Sequence, residues 1–192
     1  KTDKGLLEIQ QPIGFVANGM SSLELEDELS AWLVTYDWAP LQFDDEPGRT
    51  YWAVVQNDMS DFERFAQLRY GTIQFVAKSA EGAMHTFNIT TTFQTFTIAG
   101  QERTPWTSKT TFSAPADQFV LETNTGGKII LNYGFIAGDV LEIDYETRDV
   151  WLNGEDLAMS IALETVWFEL EPGFMLIRAS HETELSYTER YY

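Results

Sequence analysis

Residues 138–177 read GDVLEIDYETRDVWLNGEDLAMSIALETVWFELEPGFMLI, and this stretch narrows the choice of fold more than any other. Leu141, Ile143 and Tyr145 alternate with Glu142, Asp144 and Glu146, a period of two that puts apolar groups on one face and carboxylates on the other. Glu146-Thr147-Arg148-Asp149 can turn the chain, after which Val150 and Leu152 resume the apolar face. Asn153-Gly154 tolerates the positive φ of a tight hairpin turn. Residues 167–170 are short and β-prone, Pro172-Gly173 signals another turn, and residues 174–177 are an apolar run. The expectation is a meander of short antiparallel strands. It contains no catalytic signature.

Upstream, residues 6–16 are strand-like, with Pro12 pointing to an edge or a bulge, and Asn18-Gly19 to a turn. One helix follows. Ser21 is placed to cap it with Glu24 three residues on, and Met20 and Leu25 have the spacing of a hydrophobic staple. Leu25, Leu29, Trp32 and Leu33 give it an apolar face, and Glu24, Glu26, Asp27 and Glu28 crowd its positive end. The helix should fade near Val34-Thr35. Residues 41–43 read as a short strand, Asp44-Asp45-Glu46-Pro47-Gly48 as a turn, residues 50–55 as a buried strand, and residues 58–70 are ambiguous. Residues 72–77 read as a strand with Ile73 and Phe75 inward.

Lys78-Ser79-Ala80-Glu81-Gly82 is small and polar and suggests a seam near residues 80–88. Beyond it the chain reads β at residues 90–98, 110–112, 119–122 and 128–131, with a turn at Asn124-Thr125-Gly126-Gly127 and a last alternating strand in residues 184–192. Turns at this spacing suit a β-sandwich. The expected fold is mainly β: an α+β domain over residues 1–84 with one helix, then an all-β domain over residues 85–192.

Charge narrows the partners. Lys and Arg number 12 against 30 Asp and Glu, a net charge of −18, which suits neither phosphate contacts nor anionic lipid. The absence of cysteine rules out disulfides and thiolate metal sites. No run reaches the roughly 20 apolar residues of a membrane helix. The start, Lys1-Thr2-Asp3-Lys4-Gly5, is neither an initiator Met nor a signal peptide, so a longer parent chain is expected.

No constellation for catalysis stands out. His85 and His181 are the only imidazoles and belong to no HExxH-type pattern, and no GxSxG elbow occurs. With 30 acids, adjacent carboxylates arise by chance, so neither a glycosidase pair nor a calcium loop at Asp44-Asp45-Glu46 is implied. No catalytic residue, metal ligand or cofactor is expected. Of the six tryptophans, Trp106, Trp151 and Trp167 lie in the all-β half, where sugars stack on exposed aromatics in some sandwiches. Trp151 and Trp167 are out of phase with Val150/Leu152 and Phe168/Leu170, which points them outward or into a second contact surface. The candidate interface residues are Trp32, Phe43, Tyr51, Trp52, Trp151 and Trp167.

The order of motifs resembles the distal tail protein family of long, non-contractile-tailed bacteriophages. Its C-terminal half carries a block like G-D-x-L-x-I-D, a basic residue, V-x-L-N-G and F-x-L-x-P-G. The counterparts here are Gly138-Asp139-Val140-Leu141-Glu142-Ile143-Asp144, Arg148, Val150-Trp151-Leu152-Asn153-Gly154 and Phe168-Glu169-Leu170-Glu171-Pro172-Gly173. Residues 29–33, 41–55 and 71–75 are similar to the family's helix, acidic turn and first-domain strands. Met175 departs from the Asn common there, and strands that usually precede the position of Lys1 are absent. The resemblance implies a non-enzymatic virion protein: a homohexameric ring of first domains with galectin-like second domains projecting outward. It further implies a place in the virion tail after assembly in the bacterial host cytoplasm, and partners in the tail tube, the tail tip and the receptor-binding or baseplate proteins. DNA would pass through the ring without binding. The alternative reading is a carbohydrate-binding β-sandwich acting alone in adhesion.

Overall fold

The computed structural model describes residues 6–16, 19–56, 63–65 and 68–192. The chain forms two compact units, residues 1–81 with Tyr192, and residues 82–191.

In the first unit, β1 (Leu7–Val16) pairs antiparallel with the front of β5 (Leu68–Ile89), from Leu7↔Ala77 to Val16↔Leu68. On the other side of β5 come β3 (Thr50–Val55) and then β2 (Ala39–Leu41), and the short β4 (Glu63–Phe65) also pairs with β5. Among the described residues β1 pairs only with β5, so Pro12 lies in an edge strand, where proline is tolerated. The strand expected at residues 41–43 lies two residues earlier, because Phe43 already accepts the Glu46 N–H that starts the acidic turn. Gly48 closes that turn at φ 98°. In β3 only Tyr51 and Ala53 are buried, so one face is inward rather than the whole strand. Ile73 and Phe75 of β5 are buried as expected, joined by Val76, Ala77 and Ala80.

Helix α1 (Ser22–Leu33) begins as the sequence indicates. Ser21 Oγ accepts the Glu24 N–H at 3.3 Å, and the Glu24 carboxylate accepts the Ser21 N–H at 2.9 Å. The Ser21 N–H first, and then the Ser21 hydroxyl, hold the Glu24 carboxyl below its ordinary range. Leu29 and Leu33 are half-buried, but Trp32 is 73% exposed. At 100° per residue Trp32 lies 100° round from Leu33, on the flank of the covered face. Of the staple pair, Met20 is exposed, and the Leu25 side chain lies outside the described residues. So does most of the ambiguous stretch before Leu68.

Residues 78–82 lie inside β5, which runs on to Ile89, and the two units divide there, after Glu81. Ala80 is fully buried opposite Tyr51.

The second unit is a two-sheet sandwich. One sheet runs β12 (Glu155–Asp156), β11 (Asp149–Leu152), β10 (Val140–Asp144), β7 (Trp106–Thr111), β14 (Thr183–Tyr191) and the end of β5. The other runs β6 (Gln94–Ile98), β13 (Gly173–Ala179), β8 (Ala116–Thr123) and β9 (Lys128–Phe135). Three sequence expectations change. Residues 90–98 break after Ile89, and β6 begins only at Gln94. Residues 167–170 form no strand, since Thr104 and Lys128 meet this stretch only through isolated bridges to Leu170 and Val166. The run after Pro172-Gly173 does not extend the meander: β13 crosses to the opposite sheet. The strand read at residues 110–112 is the end of β7, whose Thr-rich sequence hides an alternation with Trp106, Ser108 and Thr110 inward.

Between the sheets, Phe112 stacks on Phe135 with centroids 4.2 Å apart, and Trp106 packs against Phe168 and Tyr145. Phe119, Leu121, Ile129, Leu131, Leu141, Ile143, Leu170 and Ile177 complete the buried centre. Each contributes about 1.5–3 kcal/mol of burial before conformational entropy is deducted.

Candidate functional site

The motif block that singles out this chain proves to be structural. Gly138, at φ 94°, and Asn153, at φ 54°, occupy turns at the same end of β10 and β11. Asp139 Oδ2 accepts the Ile136 N–H, and its Oδ1 accepts Asn153 Nδ2, both at 2.9 Å. Asn153 Oδ1 in turn accepts the Val140 N–H at 2.9 Å, while its own N–H donates to the Val140 carbonyl. G-D and N-G therefore form one hydrogen-bonded clasp, and its donors, Ile136 first and then Asn153, hold the Asp139 carboxyl below the ordinary range. Asp144 Oδ1 accepts the Glu146 and Thr147 N–H groups and shapes the next hairpin, with Arg148 at φ 61°. In F-x-L-x-P-G, the Phe168 carbonyl accepts Trp106 Nε1–H at 2.8 Å, Leu170 is fully buried, and Gly173 takes φ 107°.

Trp106 is thus a core residue. As a possible sugar platform it is ruled out, because its ring is 2% exposed and its N–H is already engaged. Neither imidazole has the setting of a catalyst. His85 stacks on Tyr187 and meets Glu189 at 2.7 Å. His181 lies against Phe112 and meets Ser180 Oγ at 2.9 Å, and burial holds its imidazole below the usual histidine range. Among the described residues, no three His, Cys, Asp or Glu side chains converge as metal ligands.

The six candidate contact residues fall into distinct settings. Trp32 borders a hollow of about 270 Å³ lined by Leu33, Pro40, Leu41, Ala53, Val55 and Phe75. Leu23, Val34 and Tyr36 are also largely exposed on α1 and its exit. Phe43 packs edge-on against Tyr51, and Tyr51 is buried, its hydroxyl donating to Glu46; desolvation first, and then that carboxylate, raise its pKa. Trp52 is half-buried, donating Nε1–H to Glu81 with Lys78 over its ring. In the second unit Trp167 is half-buried, packed edge-on against Tyr145. Trp151 stands on the outer face of its sheet at the rim of a depression of about 400 Å³. The outward phase of Trp151 was legible from Val150 and Leu152. The depression was not, because it is assembled from four strands.

Residues 99–191 match the family model described as "Siphovirus-type tail component, C-terminal domain". The relative that extends the match is the distal tail protein of Bacillus phage SPP1, 26% identical over 159 residues, which covers 79% of this chain. The chain spans 62% of that relative's length. A crystal structure of the SPP1 protein, described there as a paradigm of the hub adsorption apparatus of phages infecting Gram-positive bacteria, superposes with a TM-score of 0.87. That likeness covers 99% of this chain and 81% of the other at 18% identity, and so establishes the fold. The family resemblance and the mainly β, one-helix fold read from the sequence both hold.

Proposed function

We propose that this chain is a structural, non-enzymatic hub at the distal end of a siphophage tail, joining the tail tube to the tip or baseplate that carries the receptor-binding proteins. The observation that carries the reading is the two-unit likeness to the SPP1 hub protein, which runs well beyond the 93 residues of the matched domain (99–191). In this reading residues 1–84 build the wall of a homohexameric ring and residues 85–192 form a galectin-like domain projecting from it.

The first unit has a surface suited to self-association. Trp32, Val34 and Tyr36 are each more than half exposed within five residues, an apolar exposure that a lone soluble surface would cover. A closing ring needs a heterologous contact, and a short patch of this kind with its adjoining hollow provides one side of it. The acids belong away from that seam. At physiological salt charges are screened over about 8 Å, so carboxylates on outer faces and along a wide lumen are tolerable, and those in the lumen would keep passing DNA from adhering.

Light scattering with negative-stain imaging of the protein tests the reading. Six-fold rings with a central hole support it; a protein that stays monomeric at every concentration and binds no tail partner overturns it. Tight DNA binding by the ring at physiological salt would sink the lumen argument alone. The rival, a carbohydrate-binding module acting alone, is weakened by the burial of Trp106 and predicts a protein that never assembles.

A further inference from the structure

The depression beside Trp151 is built from outward side chains of four adjacent strands, and the registers put them in rows. Glu142 lies opposite Trp151 on one side and Lys109 on the other, and Lys109 lies opposite Glu184. One row therefore runs Trp151, Glu142, Lys109, Glu184. The next runs Asp144, Thr107, Ser186, and Ser186 Oγ meets Thr86 Oγ1 at 2.9 Å. Lys109 Nζ lies 2.9 Å from Glu142, which leaves further ammonium donors directed elsewhere. About 400 Å³ falls within the range of small-molecule sites.

The chemistry of this floor selects its ligand. Three carboxylates against one ammonium disfavour phosphates and other anions. A floor of charges and hydroxyls disfavours a purely apolar occupant, whose arrival would strip water from groups it cannot bond. A neutral polyol meets every demand. Its hydroxyls donate to Glu142, Glu184 or Asp144 and accept from Lys109, while Thr107 and Ser186 do either. The C–H face of a pyranose ring suits the electron-rich face of an indole at the rim. We propose that this hollow is a glycan-binding subsite, with Trp151 as its stacking wall and Lys109, Glu142 and Glu184 as its hydrogen-bonding floor. The site does not depend on ring assembly, and a hub could carry it without being a stand-alone lectin.

Saturation-transfer NMR on the full chain tests the proposal with glucose, galactose, N-acetylglucosamine, maltotetraose and chitotetraose at millimolar concentration. At least one should receive saturation. Trp151→Ala and Lys109→Met should each weaken its binding about tenfold or more, and Phe174→Ala, at an exposed aromatic on the other sheet, should leave it unchanged. Because Trp151 is half-buried, Lys109→Met carries the test if Trp151→Ala fails to fold. No transfer to any of the five sugars overturns the proposal. So does binding insensitive to both variants, or binding lost on Phe174→Ala. Protection of Lys109 by a protein partner, with no sugar response, would assign the hollow to docking and also overturn it. Since all these readouts use the isolated chain, their failure leaves the hub reading standing.

Discussion

Asn153 combines a backbone requirement with a side-chain one. Its φ of 54° is the left-handed region that Asn tolerates and most residues do not, and its amide supplies two bonds of the clasp to Asp139 and Val140. Asn153→Ala should lose both and destabilise the second unit by about 2–3 kcal/mol, while Asn153→Gly, free of the φ penalty, should lose about 1 kcal/mol less. Chemical denaturation checks the difference between the two variants. Protonation provides a second test. His181 has a lowered folded pKa, so the unfolded chain binds its proton first on acidification. Its contribution is whole above the unfolded value of about 6.5 and is lost as pH falls from there through the folded value. The carboxyls of Asp139 and Glu189 are depressed too, Glu189 by Tyr191 and then His85. Their contribution is whole above the unfolded values of about 4 and is lost as pH falls through the depressed folded ones. Thermal denaturation against pH should therefore show two successive falls, and His181→Gln should remove the first alone.

At the scale of elements, the β8–β9 hairpin is fitted to the loop that carries Phe168. A Cβ on Gly127 would lie 2.5 Å from the Phe168 ring, closer than packed atoms come, so glycine is required there by contact rather than by φ. Gly127→Ala should cost about 1–3 kcal/mol by overpacking. Phe168→Ala is costly by itself, since it empties a place beside Trp106. Combined, the two should cost clearly less than their sum, because the second removes the clash made by the first. An additive double-mutant cycle would show that the ring does not press on Gly127. In α1 the sequence reported the cap faithfully, since Ser21 and Glu24 are neighbours in the chain and need no third partner. It did not show how far Trp32 stands exposed, because hydrophobic spacing says which face is apolar but not how wide a face the sheet covers.

For the molecule as a whole, the two units differ in how much they bury. The second holds nearly every large side chain that is fully enclosed, Trp106, Phe112, Phe119 and Phe135 among them. Among the described residues of the first, the largest buried groups are Tyr51 and Phe75, beside small Ala53, Ala77 and Ala80. Residues 82–192 produced alone should therefore unfold in one cooperative calorimetric transition. Residues 1–81 alone should unfold at markedly lower temperature or lack a transition, gaining stability only when an assembly partner covers Trp32 and its neighbours. A fragment of residues 1–81 that melts as high as the sandwich would contradict this account of the exposed patch.

By itself the sequence determined what local chemistry fixes. The period of two in residues 141–152 set which faces are buried, Asn153-Gly154 and Asn124-Thr125-Gly126-Gly127 set the hairpins, and Ser21 with Glu24 set the start of the helix. These signals depend on neighbours along the chain, so they can be read from it. The tertiary structure decided what depends on residues far apart. It joined Asp139 to Asn153, sent β13 to the opposite sheet, carried β5 on to Ile89 and enclosed Trp106 under Phe168. It also aligned Trp151, Glu142, Lys109 and Glu184 in one row. Strand order and register are settled by which distant faces bury together, and no window along the chain records that choice.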